Sequence, residues 1–246
     1  MAIRSAAETF RFGGKKMVGV LATPGLRRKV PGVLMLHGFP GSEQNVDIQR
    51  ALLDVGIATF RLQFQGAWGS EGNYLFSTLI DQAKGGLHYF ARRPEVDARR
   101  LAVFGFSMGG WTALNLAGVA RDLRAVVAVG PVGGTEMIAP SNRPFIRSHC
   151  KPLRVTSPDA LVRDFRRSVT RFPPVKAVLK SNADFLVIHG AQDEVIPAAA
   201  SKRLQEVVGK KRMQLVLAPG ARHDFLAHRP WLTRRVIGWL KTRLRG

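Results

Sequence analysis

Leu101-Ala-Val-Phe-Gly105-Phe-Ser107-Met-Gly-Gly110-Trp-Thr-Ala-Leu-Asn-Leu-Ala-Gly-Val-Ala120 is a stretch of twenty residues without a charge. Its length matches a membrane span. Four glycines, at 105, 109, 110 and 118, together with Ser107, Thr112 and Asn115, instead favour a buried strand over 101–104, a tight turn and a helix over 108–120. A serine between two glycines at such a strand-to-helix turn has its hydroxyl projected above the sheet, because glycine lets the backbone turn without a Cβ clash. The hydroxyl then sits near the positive end of the following helix, where developing negative charge is favoured.

Outward from this stretch, Gly32-Val-Leu-Met-Leu-His37 is a continuous apolar run of the kind that suits a strand buried on both faces of a parallel sheet. Helical period over 44–55, a strand over 57–62, helical period over 75–90 interrupted at Gly85-Gly86, and a strand over 125–129 complete an alternating pattern. Such alternation predicts βαβ units and the α/β class, with a mostly parallel, doubly wound sheet. Upstream, Thr9–Phe12 and Met17–Leu21 joined through Gly13-Gly14 predict an N-terminal hairpin.

The pattern stops between Val132 and Ala183, where Pro140, Pro144, Pro152, Pro158, Pro173 and Pro174 fall. One helix is expected there, opening at Ser157-Pro158-Asp159 with Ser157 as N-cap and proline at the first helical position. The segment 132–183 reads as an insertion, a small cap within a single domain of residues 1–246. The alternation resumes with a strand over 184–189, a helix over 198–208, a strand over 213–217 and a last helix from Pro230.

Serine is a poor nucleophile at neutral pH, so Ser107 needs a general base and a carboxylate to orient it. In this architecture the order is serine, acid, histidine. His223 stands in Ala218-Pro-Gly-Ala-Arg-His-Asp, directly after the last strand, and is the expected base; His149, His189 and His228 are assigned to the cap, to packing beneath the site and to a helix start. Asp193, in the loop after the penultimate strand, is the expected acid, with Glu194 its close competitor. It would fix one imidazole tautomer and stabilise the imidazolium. The oxyanion hole is expected from the backbone N–H groups of Met108 and Phe39, because Pro40 has none to donate. His37 precedes Ser107 and is read as organising that loop, while Trp68 and Phe145 are expected to shape the acyl pocket.

Charge is the other unusual feature: 38 Lys and Arg against 17 Asp and Glu, a net +21. Such a surplus raises nucleic acid, anionic membrane or an acidic ligand as partners. The terminal helix, with Trp231, Trp239 and Leu240 beside Arg234, Arg235 and Lys241, has the composition of an interfacial helix, although an outer helix with its apolar face on the sheet explains it better. The surplus is peripheral: the segment 132–183 holds ten basic and three acidic residues, whereas 31–131 and 184–227 are nearly balanced. Cys150 is the single cysteine, which excludes an intramolecular disulfide and any multi-cysteine metal site. With no apolar signal-peptide core near Met1, a cytoplasmic location is expected.

Taken together, His37-Gly-Phe-Pro-Gly, Gly105-Phe-Ser-Met-Gly-Gly, His189-Gly-Ala-Gln-Asp and Gly220-Ala-Arg-His resemble the α/β-hydrolase superfamily over nearly the whole chain outside the cap. The texture is similar to small bacterial esterases, including cinnamoyl/feruloyl esterases with a short cap, and to prolyl-oligopeptidase-like hydrolases. Phe64-Gln-Gly-Ala-Trp-Gly-Ser departs from the Arg-Gly-x-Gly-x-Ser loop of many members, with Gln65 in place of the arginine. The resemblance implies a serine hydrolase with no metal and no organic cofactor. The elbow serine argues against haloalkane dehalogenases, which use Asp there, and dienelactone hydrolases, which use Cys. The expected activity is hydrolysis of small acyl or aryl esters, cinnamoyl or feruloyl esters among them, through an acyl-enzyme. A peptide or acyl-CoA thioester substrate, and a nucleic-acid or anionic-membrane binding protein of another class, are the alternatives. The expected partner is a small-molecule ester, with no obligate nucleic acid and no transmembrane segment; a homodimer is left open.

Overall fold

The computed structural model describes residues 3–245, residue 136 by its backbone alone; Met1, Ala2 and Gly246, the ends of the expected domain span, lie outside them. Eight strands form one sheet: β1 (Arg4–Phe12), β2 (Lys15–Thr23), β3 (Val30–Leu36), β4 (Ala58–Gln63), β5 (Val96–Phe106), β6 (Leu123–Val129), β7 (Asp184–Gly190) and β8 (Met213–Ala218). Their spatial order is β1-β2-β4-β3-β5-β6-β7-β8. The N-terminal hairpin pairs antiparallel and joins β4 antiparallel, and every other pairing is parallel. This is the mostly parallel α/β sheet with an N-terminal hairpin that the alternation predicts.

Both faces of the sheet are covered. The chain supplies α1 (Val46–Asp54), α2 (Leu79–Ala91), α3 (Met108–Leu116), α7 (Ala199–Val208) and α8 (Arg229–Arg243) around it. Successive strand residues point to opposite faces. On β5, Leu101 and Val103 pack with Leu79, Ala83, Trp111 and Leu114 on the α2/α3 side. Ala102, Phe104 and Phe106 pack with Ile48, Leu52, Val236 and Leu240 on the α1/α8 side. The apolar face of α8 is therefore buried against the sheet, while Arg234 and Arg235 face water. Among the described residues, no helix is long and apolar enough to cross a membrane.

The expected break at Gly85-Gly86 is absent, and α2 runs through it. The glycines serve close packing instead: a Cβ on Gly85 would lie 2.5 Å from the Phe12 ring, and one on Gly86 2.9 Å from Leu62. The segment between β6 and β7 holds three helices rather than one: α4 (Asn142–His149), α5 (Pro158–Arg171) and α6 (Pro174–Lys180). Three of its six prolines stand in first helical turns. Pro144 sits in the first turn of α4 and Pro174 opens α6, where the missing N–H costs no helical bond. The α5 start is as expected, with Ser157 Oγ accepting the Ala160 N–H at 3.1 Å. The α6 helix packs on α3 and α7, whereas α4 and α5 pack on one another beyond the carboxyl ends of the strands.

The last helix is clasped to the first. Arg229 donates from Nε to Asp47 Oδ2 at 3.0 Å and from its terminal nitrogens to Asn45 Oδ1 at 3.2 Å. Thr233 adds a hydroxyl bond to Asp47 at 3.0 Å. Burial alone would raise the Asp47 pKa, but the hydrogen bond and charge of Arg229 hold it below the usual carboxylate range. The N-cap of α5 is open to test. Ser157→Ala removes one bond from an otherwise unpaired first-turn N–H and is expected to cost about 1 kcal/mol, read as a fall in Tm of about 2–4 °C by circular dichroism.

Candidate active site

Ser107 caps α3 with φ 55° and ψ −118°, a left-handed backbone that side-chain-bearing residues rarely adopt. Its surroundings enforce that geometry. The Ser107 N–H donates to Val129 O at 2.8 Å on β6, and its carbonyl accepts from Trp111 N at 3.1 Å. The turn is too tight for side chains at its glycines: a Cβ on Gly105 would overlap the Gly109 carbonyl, and one on Gly109 the Leu36 carbonyl. The motif spacing thus follows from β3, β5 and α3 meeting within van der Waals distance.

The structure brings Ser107, His223 and Asp193 together from three separate loops. His223 Nε2 lies 3.1 Å from Ser107 Oγ, and His223 Nδ1 lies 2.7 Å from Asp193 Oδ2. A carboxylate only accepts, so Nδ1 carries the proton and Nε2 is free to receive one from the hydroxyl. Asp193 Oδ1 accepts the N–H groups of Val195 at 2.9 Å and Ile196 at 2.7 Å. Burial would raise the Asp193 pKa, but hydrogen bonds from His189 and His223, the His223 charge and the Ile196 N–H outweigh it and hold the group well below the usual carboxylate range. Glu194 does not reach the imidazole: it pairs with Arg222 at 3.1 Å and touches only the His223 backbone N–H at 3.4 Å.

The loop after β3 runs alongside the serine, and a Cβ on Gly38 would stand 3.0 Å from Ser107 Cβ. Among the described residues, neither the Phe39 nor the Met108 N–H donates to a turn or loop carbonyl. His37 is buried beneath this loop, donating from Nδ1 to Gly38 O at 2.8 Å and accepting at Nε2 from Phe64 N at 3.3 Å. Burial pushes its pKa down to about 4, against the Gly38 carbonyl, so the ring is neutral near pH 7. Trp68 does not join the site. It is 60% exposed and braces the loop from outside, its indole N–H donating to Gly41 O at 2.8 Å.

A cavity of about 410 Å³ opens on Ser107 and His223. Phe39, Phe76, Phe106, Met108, Phe145 and Phe165 line much of it, with Met137 and Ile146 from the segment after β6. Phe145 is thus at the cavity wall, stacked on His149 with ring centroids 4.2 Å apart. Among the described residues, the carboxylates in the lining are Glu43 and Glu194, and no Lys or Arg contributes. Sequence reasoning missed Phe76, Phe106 and Phe165. Phe165 carried a signal, since Leu161, Phe165 and Val169 recur at helical spacing on the buried face of α5.

The model of the dienelactone hydrolase family matches residues 17–235. Among curated proteins, the uncharacterized protein Rv2307c of Mycobacterium tuberculosis is 26% identical over 195 residues, with 79% of this chain and 63% of that one covered. The uncharacterized peptidase YtmA of Bacillus subtilis is 27% identical over 201 residues, covering 78% of this chain and 75% of that one. The chain therefore spans less than two thirds of the mycobacterial relative. Among solved structures, Est1E from Butyrivibrio proteoclasticus with bound ferulic acid has TM-score 0.79 and 23% identity over 96% of this chain and 99% of that one. The α/β hydrolase GrgF from Penicillium sp. sh18 has TM-score 0.78 and 16% identity over 99% of each chain. These similarities show the α/β-hydrolase fold. They also correct one expectation, because the serine at residue 107 does not set the chain apart from the dienelactone hydrolase family.

Exchange of Asp193 for Asn replaces an acceptor with a side chain that can donate to His223 and favours the wrong tautomer. It should lower kcat/KM toward an activated ester by about 10³-fold or more, whereas Glu194→Gln should stay within about threefold; initial rates of the two variants decide between the carboxylates. Because the folded-state pKa of Asp193 is depressed, its contribution to stability is full above the ordinary carboxylate pKa and is lost as pH falls. The drop in Tm on acidification below about pH 5 should be shallower in Asp193→Asn than in the unmodified protein.

Proposed function

The chain belongs to the dienelactone hydrolase family, and we propose that it is a serine carboxylic ester hydrolase acting through an acyl-enzyme on small acyl or aryl esters. One observation carries this reading: the Ser107–His223–Asp193 chain of hydrogen bonds ends, at Ser107 Oγ, in a cavity walled by aromatic rings. Ser107 Oγ attacks the ester carbonyl while its proton passes to His223 Nε2. The carbonyl oxygen becomes an oxyanion facing the N–H groups of Phe39 and Met108, at the positive end of α3. Collapse breaks the bond to the alcohol, which leaves with the proton from His223. Water then enters by the same steps, with His223 again taking the proton, and releases the acid.

The lining argues for the substrate class. An aromatic or apolar acyl group buries against Phe76, Phe145 and Phe165, gaining about 25 cal/mol per Å² of apolar area removed from water. An acyl group with its own negative charge meets no Lys or Arg among the described lining residues, and an unpaired buried charge is costly. The ten basic residues of segment 132–183 lie outside the cavity lining, which favours neutral esters over acyl-CoA thioesters recognised through phosphates. In this reading α4 and α5 are the cap, and Phe145 and Phe165 are the pocket residues they supply. Trp68 acts only through the Gly41 loop.

Ser107→Ala should lose about 10³-fold or more of the turnover of p-nitrophenyl acetate, and near-unchanged turnover would contradict the assignment. Across a panel of methyl ferulate, its carboxylated analogue, an acyl-CoA and a peptide amide, the neutral aryl ester should give the highest kcat/KM. It should exceed its anionic analogue by about tenfold or more; preference for the amide would establish a peptidase instead.

A further inference from the structure

Asp193 is contacted by a second histidine. His189, in β7, is wholly buried, and its Nε2 lies 2.8 Å from Ile196 O and 3.3 Å from Asp193 Oδ2. Its Nδ1 lies 2.7 Å from the hydroxyl of Ser201, a buried residue of α7. A carbonyl only accepts, so Nε2 carries the proton and shares it between Ile196 O and Asp193 Oδ2. With the ring singly protonated at Nε2, Nδ1 is the acceptor of the Ser201 O–H. Asp193 Oδ2 therefore accepts the full hydrogen bond of His223 at 2.7 Å and a longer, secondary contact at 3.3 Å from the His189 N–H, whose main acceptor is Ile196 O at 2.8 Å, while Oδ1 is filled by Val195 and Ile196.

We propose that His189 is a positioning residue that, by donating to the same carboxylate oxygen as His223, fixes that oxygen and moderates its pull on the His223 ring. Two donors on one acceptor compete: charge drawn toward His189 is not available to stabilise a proton on His223. Ser201 strengthens the effect, because a hydroxyl donated to Nδ1 makes the Nε2–H a better donor. The other charged groups beside His223 are Glu194, which meets its backbone N–H, Arg222, which pairs with Glu194 at 3.1 Å, and Asp224, whose carboxylate accepts the Leu226 N–H. Phe106 covers the ring, with centroids 5.3 Å apart. The competition at Asp193 Oδ2 thus governs how firmly the carboxylate holds the His223 ring.

The sign follows. Without the His189 donor, Asp193 Oδ2 holds a protonated His223 more strongly, and the His223 pKa rises by about half a unit to one unit. The proposal concerns the site read above as Ser107–His223–Asp193, and two readouts keep their failures apart. In ¹⁵N NMR titrations, which need no activity, His189→Leu should raise the His223 midpoint by that amount. His189→Gln, which keeps an N–H at the Nε2 position, should restore it in large part. In kinetics with p-nitrophenyl acetate, kcat/KM of His189→Leu should fall about fivefold below the acid limb yet stay within about twofold at pH 9, with KM unchanged. A His223 midpoint that stays put in folded His189→Leu, or an equal loss of kcat/KM at both pH values, overturns the proposal. Should His189→Leu fail to fold, Ser201→Ala carries the test: a smaller rise in the His223 midpoint supports the proposal and none overturns it. Absence of esterase activity in the unmodified protein would defeat the ester hydrolase reading while leaving the NMR test intact.

Discussion

At the end of β5 the chain must turn from strand to helix with no room for side chains on the inside of the turn, and the rest of the molecule is arranged around that crowding. Gly105 faces the Gly109 carbonyl and Gly109 faces the Leu36 carbonyl, so β3, β5 and α3 meet backbone to backbone. The left-handed conformation of Ser107 is the consequence, and such strain persists only where the surroundings over-determine it. Here they do: β6 takes the Ser107 N–H, α3 takes its carbonyl, and Trp111 fills the core beneath at 0% exposure. The hydroxyl is held at a fixed height above the sheet, and the loops after β3, β7 and β8 need only reach that point.

Much of this was legible in the sequence because each element has a single period and a clear stop. The apolar runs of β3, β5 and β6 suit a buried parallel sheet, and Ser107, Asp193 and His223 stand in loops at its carboxyl edge in the order that the α/β-hydrolase template requires. What was not legible depended on which surfaces touch. Gly85-Gly86 looks like a helix break, yet it lets α2 lie against Phe12 and Leu62. The prolines at 144 and 174 look like loop residues until their place in a first helical turn is known. Trp68 was expected in the pocket, but the side of a loop on which a ring falls is decided by a backbone φ of 47° and a bond to Gly41, neither visible in composition. His189 was expected beneath the site, and its position there is seen; its contact with the same oxygen as His223 is a three-dimensional fact.

The charge surplus belongs mainly to the outside of the molecule. Arg163, Arg166, Arg167 and Arg171 lie on the exposed side of α5, while Leu161, Phe165 and Val169 on the other side pack inward. One amphipathic helix thus presents cations to water and one ring, Phe165, to the cavity. Arg229 is an exception, nearly enclosed and paired to Asn45 and Asp47.

The Arg229 clasp ties the N-terminus of α8 to residues only a few positions beyond the Gly38–Pro40 turn, so the last helix braces the loop that runs beside Ser107. His223 lies 116 residues after Ser107 and a few before that clasp. In the order of synthesis Ser107 therefore precedes both its base and the brace. The relay cannot be complete until residue 223 has been made, so any shorter product carries the serine without the base that would activate it.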